Sequence, residues 1–376
     1  MKIKKNQLFT VLLFCAFLAA MLLGYLFLEK RDFSENEKRY LQSTPALSWE
    51  SLLSGDFAQE AESFMADHIP GRNFFVGLNS AFELVTGMQL SRDVQLLPGE
   101  RLVESPVVWD QGAVLRNMQA INSFAEGLGQ PARLMIVPSA GWAADKSPLM
   151  TLELFSGERY MDAELIADIY AIAGDCIETV DLCPVFQDNE EYYYRTDHHW
   201  TSLGAYRACN TYMDALQRPF PAEDEFRVER VDGFQGSTYT RSALWSISAE
   251  PLELWHGPSE LLVSNSDSDT VQDSLFYRQR LEESDKYTVY LDGNHSIVRI
   301  DNPAMAGQGK LLVVRDSYCN VLGGFLAESY ESVILVDLRY YKNPVSQLYA
   351  ELGCDSLLVC YSLSNFMTDS NIVWLR

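Results

Sequence analysis

From about residue 108 onward, short continuous apolar runs alternate with stretches of helical periodicity, and this limits the possible folds more than any other feature. Runs of strand length stand at 133–138 (RLMIVP), 177–182 (IETVDL), 310–314 (KLLVV), 332–337 (SVILVD) and 355–362 (DSLLVCYS). Helical spacing fills 115–128, 161–173, 202–216, 321–330 and 343–352. Strands without polar alternation are buried on both faces, as in a mostly parallel sheet covered by crossover helices. The expected fold is therefore α/β: a mostly parallel sheet flanked by helices. A hydrophobic content of 47% with 22% charged residues supplies the core such a sheet needs. Residues 218–302 break the pattern. They are polar and irregular, with a hairpin-like stretch, YTVYLDGNHSIVRI, turning at Asp292-Gly293-Asn294. They read as an insertion, packed on the sheet's edge or over its ligand end.

The lead-in has its own organisation. Residues 8–28 (LFTVLLFCAFLAAMLLGYLFL) carry no charge, and as a helix they would span roughly 31 Å, enough for a bilayer core. Three lysines in MKIKK precede them, which favours a cytoplasmic N-terminus. The apolar run is long for a signal-peptide core and GYLFLEKRD is a poor cleavage site, so an uncleaved anchor is favoured. The expected organisation is a cytoplasmic segment at 1–7, a transmembrane signal anchor at 8–28, a juxtamembrane and helical/strand lead-in at 29–107, and an extracytoplasmic α/β domain at 108–376. Within the lead-in, helical spacing breaks at HIPGR, where Arg72 can pair with Asp67, and Pro98–Gly99 joins two short strands.

Charge and cysteines narrow the function classes. A formal charge of -23 argues against nucleic acid, whose phosphates need clustered Lys and Arg. Seven cysteines without a CxxC pair give no support for zinc. Most fall in apolar runs, and the single disulfide admitted is Cys176–Cys183.

Two segments can carry chemistry, because functional groups in an open α/β sheet collect where strands end and helices begin. In VVRDSYCNVLGG, Ser317 stands on the tight connection after a strand, and backbone N–H groups at the helix start can stabilise an oxyanion. The alternative is that Asp316 or Ser317 only caps the helix. In YYYRTDHHWTSLGAY, Asp197 and His199 are one residue apart, so in an extended segment they point the same way while His198 points elsewhere. A carboxylate beside an imidazole can hold its tautomer and leave the other nitrogen as a general base. A capped helix start with one packed and one solvated histidine is the plainer reading. A metal on Asp197, His198 and His199 is disfavoured, because adjacent histidines seldom both ligate one ion. No metal or other cofactor is expected.

TDHHW before a helix, with RDSY after a later strand, resembles the DHHW proteins. These are membrane-anchored bacterial surface proteins related to the AlgX/AlgJ-like, SGNH-type polysaccharide O-acetyltransferases. Segments such as FSENEKRYL, MADHIPGR, RLMIVPSAGWAADKSPL, FQGSTYTRSAL, YLDGNHSI and VDLRYYKN extend the likeness from about residue 33 to the C-terminus. The resemblance implies an SGNH-hydrolase-like fold and a triad in which Ser317 attacks an acyl donor, His199 accepts its proton and Asp197 orients His199. It implies transfer or removal of an acyl group, acetyl first, on a cell-surface glycan, with a membrane protein as a candidate acyl supplier. The alternative of another class is a non-catalytic surface protein for glycan binding or envelope assembly. Arg315-Asp316-Ser317 departs from the Gly-Asp-Ser of SGNH enzymes, and that arginine would crowd the loop or bind an anion. Asn294 and Gly293 are candidate oxyanion donors, with a turn role for Asn294 as the alternative. Trp200 and Tyr318 are candidate stacking walls for a sugar ring, or core residues. Arg339 is a candidate for a substrate anion, or half of a surface ion pair.

Overall fold

A computed structural model of the protein describes residues 5–34, 39–86, 90–91, 93–144 and 159–375. Residues 1–4 of the expected cytoplasmic segment lie outside the described residues, as do parts of FSENEKRYL (35–38) and of RLMIVPSAGWAADKSPL (145–149). The chain forms two compact units: residues 1–86 with 243–245, and residues 87–242 with 246–376.

In the first unit, α1 (Lys5–Phe27) contains a 21-residue span, Gln7–Phe27, long and apolar enough to cross a membrane and not buried by other protein atoms. Helices α2 (Asp56–Asp67) and α3 (Arg72–Val85) flank the break at HIPGR, and Arg72 Nη2 lies 3.9 Å from Asp67 Oδ1.

The second unit opens with short strands. Strands β1 (Val94–Leu97) and β2 (Arg101–Glu104) pair antiparallel across the Pro98–Gly99 turn, where Gly99 takes φ +79°. They belong to this unit because Leu102 N donates to Arg195 O and Arg101 Nη1 to the carbonyls of Tyr193 and Tyr194. The hairpin thus braces the loop that contains Asp197 and His199.

Eight strands form the main sheet: β3 (Ala132–Val137), β4 (Ile177–Asp181), β7 (Leu262–Asn265), β8 (Ser268–Gln272), β9 (Ile297–Asp301), β10 (Lys310–Arg315), β11 (Ser332–Val336) and β12 (Ser356–Ser362). Their order is β8-β7-β9-β11-β10-β12-β3-β4. The pairings from β11 to β4 are parallel; those among β8, β7, β9 and β11 are antiparallel. All five apolar runs form strands of this sheet. The region 218–302, expected to pack on the sheet's edge or over its ligand end, supplies the three strands at one edge, and β9 pairs with β11 over all five of its residues. Residues 287–300 are not a hairpin: Tyr290 makes only an isolated bridge to Phe276, while β9 turns away to join β7 and β11. Polar, half-buried alternation in these strands concealed them. Strands β5 (Arg227–Phe234) and β6 (Glu250–His256) form a separate antiparallel ribbon.

Side chains alternate across the parallel strands, so the sheet separates two cores. Leu311, Val313, Leu358 and Cys360 face α6 (Ser202–Ala215), α7 (Cys319–Ala327) and the β6 ribbon. Leu312, Val314, Leu357 and Val359 face α4 (Gln111–Leu128), α5 (Asp162–Tyr170), α8 (Val345–Leu352) and α9 (Leu363–Thr368). Neighbouring strands β10 and β12 therefore continue into helices on opposite faces. Their carboxyl ends mark the point where the sheet's winding reverses, and such points open a crevice.

The seven cysteines are free thiols, including Cys176 and Cys183. These two lie at opposite ends of β4. A strand of that length holds them roughly 17 Å apart, beyond the reach of a disulfide.

Asp162 adds a pH dependence to this fold. Burial pushes its carboxyl up to about 6, although Ser139 N and Oγ both donate to it. A raised carboxyl pKa means that the folded state disfavours ionisation. The cost is absent below the unfolded value near 4 and fully present once pH passes the folded value. Between pH 4 and 7, wild type is expected to lose up to about 3 kcal/mol relative to Asp162→Asn. Urea unfolding of both proteins at the two pH values measures this, and parallel changes would contradict it.

Candidate active site

The loop 192–201 is not an extended segment. Tyr193 bridges Trp200, Tyr194 N donates to His199 O, and Thr201 N donates to Tyr192 O, which closes residues 195–199 into a bend. Thr201 then caps α6 by accepting from Gly204 N at 3.2 Å. Glu250 fixes the rim of the loop: its carboxylate accepts from the N–H groups of Arg195 and Thr196 and from Thr196 Oγ1.

Within this bend Asp197 is buried and accepts three hydrogen bonds. Its Oδ1 takes His199 N at 2.9 Å and His199 Nδ1 at 2.6 Å; its Oδ2 takes Ser237 N at 2.6 Å. The spacing of Asp197 and His199 thus works through a side-chain-to-backbone turn, not through the period of a strand. Burial by itself would raise the Asp197 pKa. The charges of His199 and His198 and these hydrogen bonds outweigh it and hold the carboxyl well below its usual range.

His199 Nε2 lies 2.8 Å from Ser317 Oγ, across 118 residues of sequence. Asp197, His199 and Ser317 therefore form one hydrogen-bonded line. The His199 ring is nearly parallel to that of Tyr287, 3.9 Å between centroids and 8° between planes, and this stacking partner had no motif to mark it. His198 does not point away: its ring sits 3.8 Å from that of His199, and its Nδ1 meets Ser237 Oγ at 2.5 Å. Burial, then the neighbouring His199 charge, push the His198 pKa down.

Ser317 follows β10 and precedes α7, at the reversal point of the sheet. Both readings of the RDSY turn hold, but on different residues. Asp316 anchors the turn: its Oδ1 accepts from Tyr318 N, and its Oδ2 from Ser362 N, Ser362 Oγ and Asn365 Nδ2, each of these three at 2.8 Å. That ties the turn to the end of β12 and leaves the half-buried Ser317 hydroxyl to His199. Among the described residues, the Ser317 N–H has no acceptor.

The remaining candidates divide. Arg315 is fully buried, donating to Asn294 Oδ1 at 3.0 Å and to Asp316 O, with Asp337 at 3.9 Å, so it braces the loop and is not available to a solvent-borne anion. Asn294 Oδ1 also accepts from Asn320 Nδ2 at 3.1 Å. Asn294 therefore touches residues two before and three after Ser317, and its own amide nitrogen donates to no described residue. The Gly293 N–H is taken by Tyr290 O, so Gly293 is a turn residue, at φ +87°, and not a donor. Trp200 is 0% exposed and donates to Tyr318 O; Tyr318 is also buried and its hydroxyl donates to His198 O. Neither presents a face to a sugar. Arg339 is held by Asp337 through two parallel hydrogen bonds, Nε–Oδ1 at 2.9 Å and Nη2–Oδ2 at 2.6 Å.

Asp197, His198 and His199 offer three ligand atoms within 4.8 Å of one another. Both His199 nitrogens are already committed, to Asp197 and to Ser317, so a metal there would have to dismantle the line.

Gly236 has a specific reason to be glycine. A Cβ at this position would stand 2.2 Å from Asp197 Oδ2. Gly236→Ala is expected to displace the carboxylate and slow sulfonyl-fluoride labelling of Ser317 by about 100-fold without unfolding the protein. The labelling rate alongside thermal melting checks this, and a wild-type rate would contradict it.

With this geometry defined, the resemblance read from the motifs holds: the family model for DHHW proteins matches residues 169–336, which include Asp197, His199 and Ser317. A crystal structure of a DHHW family protein from Eubacterium siraeum is 22% identical with a TM-score of 0.64, covering 75% of this chain and 93% of that one. Bacillus cereus PatB1, solved with a sulfonyl adduct, is 18% identical with a TM-score of 0.61 over 75% of this chain and 100% of its own. The O-acetyltransferase domain of Pseudomonas putida AlgJ is a looser match, 15% identical with a TM-score of 0.43, over 73% and 92% of the two chains. A search of the curated proteins returns no match. The first two establish the fold, a mixed α/β sheet flanked by helices.

Proposed function

We propose that the protein is a membrane-anchored, extracytoplasmic acyltransferase or acyl esterase with Ser317 as nucleophile, His199 as general base and Asp197 as the group that orients His199. The observation that carries this is the continuous line Asp197 Oδ1–His199 Nδ1 and His199 Nε2–Ser317 Oγ, at 2.6 and 2.8 Å. Both distances suit a nucleophile, its base and the base's orienter.

In this reading Ser317 Oγ attacks the acyl carbonyl carbon while His199 Nε2 takes its proton. The tetrahedral oxyanion is stabilised by the Ser317 N–H, with the Asn294 amide as second donor. Collapse expels the donor's leaving group, which receives the proton from His199. A glycan hydroxyl, or water, then attacks the acyl-Ser317 ester. His199 takes the attacking proton and returns it to Ser317 Oγ. Acetyl as the acyl group, and a cell-surface glycan as acceptor, rest on the DHHW resemblance. The apolar α1 would anchor the chain at residues 8–28 with residues 1–7 cytoplasmic, the lead-in at 29–107, and the α/β domain at 108–376 outside.

The test is covalent labelling of the full chain with a sulfonyl fluoride, a reagent class suggested by the sulfonyl adduct of PatB1. Mass spectrometry should place one adduct on Ser317, lost in Ser317→Ala and slowed in His199→Ala. A folded protein that neither labels nor turns over acetyl esters would overturn the enzymatic reading in favour of a non-catalytic glycan-binding protein.

A further inference from the structure

Apart from the triad, and used by none of its steps, lies a polar cavity of about 210 Å³. It is lined by Asp267 and Thr270 from the β7–β8 hairpin, Tyr277 and Gln279 from the segment that follows, and Asp292 and His295 from the turn before β9. At about 30 Å³ of liquid volume per water, the space matches about seven waters, enough for one monosaccharide ring and too small for an extended ligand.

His295 marks the cavity as more than a surface hollow. It is only 7% exposed, its Nδ1 donates to Asp267 Oδ2 at 2.7 Å, and its Nε2 is buried with no hydrogen-bond partner. Asp292 Oδ2 is 3.9 Å from that nitrogen, too far for a hydrogen bond. A buried nitrogen left without a partner is costly, so such a group signals a ligand that completes it. In the neutral imidazole, with Nδ1 as the donor to Asp267, Nε2 is an acceptor, and two neighbouring sugar hydroxyls, one donating to His295 Nε2 and the other to Asp292 Oδ2, would satisfy both.

The electrostatics select the ligand. Asp267 and Asp292 put two carboxylates on the wall. Arg280 is already committed to Asp292 Oδ1 at 2.6 Å and to Glu283 at 2.9 Å. No unpaired cation lines the cavity among the described residues, so an anionic sugar would meet repulsion. One residue connects the cavity wall to the Ser317 turn. Asn294 lies between Asp292 and His295, and consecutive Cα atoms are about 3.8 Å apart. The same Asn294 side chain contacts Arg315 and Asn320 on either side of Ser317.

We infer that this cavity is a sugar subsite serving the Ser317 centre, and that it takes an uncharged hexose or N-acetylhexosamine unit through hydroxyl hydrogen bonds to His295 and Asp292. The inference rests on the acyl-transfer reading for its link to Ser317, but its binding test does not.

The experiment titrates the full chain, in phospholipid nanodiscs free of sugar detergents, with chitotriose, cellotriose, maltotriose and trimannuronate. Affinity is read by calorimetry and by ligand-observed NMR. At least one neutral trisaccharide should bind, and trimannuronate about ten-fold more weakly or not at all. His295→Ala should weaken the neutral ligand by about ten-fold, one buried hydrogen bond. Gln279→Ala, at an exposed position where folding is not at risk, should weaken it by about three-fold. Failure of all three neutral probes, equal or tighter binding of trimannuronate, or unchanged affinity in both variants would overturn the subsite. Sulfonyl labelling of wild-type Ser317 is measured on the same preparation. Sugar binding that depends on His295 without labelling would count against the catalytic reading and leave the sugar site standing.

Discussion

Ser317→Ala is expected to reduce acyl-ester turnover by about 10³- to 10⁶-fold, with His199→Ala falling in the same range. The magnitude follows from the 2.8 Å contact between His199 Nε2 and Ser317 Oγ: without the base the hydroxyl is a poor nucleophile, and without the hydroxyl the base has no proton to take. The double variant should lose little more than either single one, because the two groups act as a unit. Ser317 is half-buried, and the turn is anchored by the neighbouring Asp316, so the alanine variant should keep the wild-type melting temperature. Initial rates on an acetyl ester, with circular dichroism as the folding control, decide this. More than about a tenth of wild-type turnover in a folded Ser317→Ala protein would remove Ser317 as nucleophile.

The second large effect concerns Asp197→Asn, for which a fall of about 10⁴-fold in kcat is expected, as when an amide replaces the carboxylate of a Ser-His-Asp site. Asp197 accepts from His199 Nδ1 and also from two backbone N–H groups. An asparagine oxygen can satisfy only part of that set. Its amide hydrogens would favour the tautomer that presents a hydrogen, not a lone pair, to Ser317. The measurement is kcat with KM and melting temperature: kcat should collapse while the other two move little. The pH profile supplies a separate sign. Asp197 is held well below the usual carboxylate range, so it stays ionised throughout mildly acidic conditions. Loss of wild-type activity between pH 7 and 5 would then not come from protonation of this carboxylate. Stability from the depressed carboxyl pKa is present above the unfolded value and lost only as pH falls through the lower folded value. Acid unfolding of wild type near pH 5 with a transition absent in Asp197→Asn would contradict this assignment.

Legibility in the sequence followed the range of the forces involved. The parallel strands were readable because burial on both faces writes a continuous apolar run, as in residues 310–314 and 332–336. Strands β7, β8 and β9 were not, since they are short and mix polar with apolar residues, and β9 meets β7 and β11 from far along the chain. The nature of the Arg315 site was equally hidden. An arginine beside a nucleophile suggests an anion, and only its complete burial against Asn294 and Asp337 makes it a brace. Trp200 misled in the same way, because an aromatic suits a core and a sugar platform equally well until its exposure is known. Tyr287, Glu250 and Ser237 had no local signal at all, being ordinary residues placed against the DHHW loop by the fold.

By itself the sequence determined the order and type of most elements, the apolar helix at its start, and the three residue types that could share a proton. Periodicity, hydropathy and acid–base chemistry are local properties of a chain. Tertiary structure alone decided which serine meets which histidine, 118 residues apart, and which side chains remain open to solvent. It placed Ser317 where β10 and β12 continue into helices on opposite faces, turned Asp316 into an anchor, and brought both histidine rings together where one was expected to point away. Those outcomes depend on strand order and packing, which no window of neighbouring residues contains.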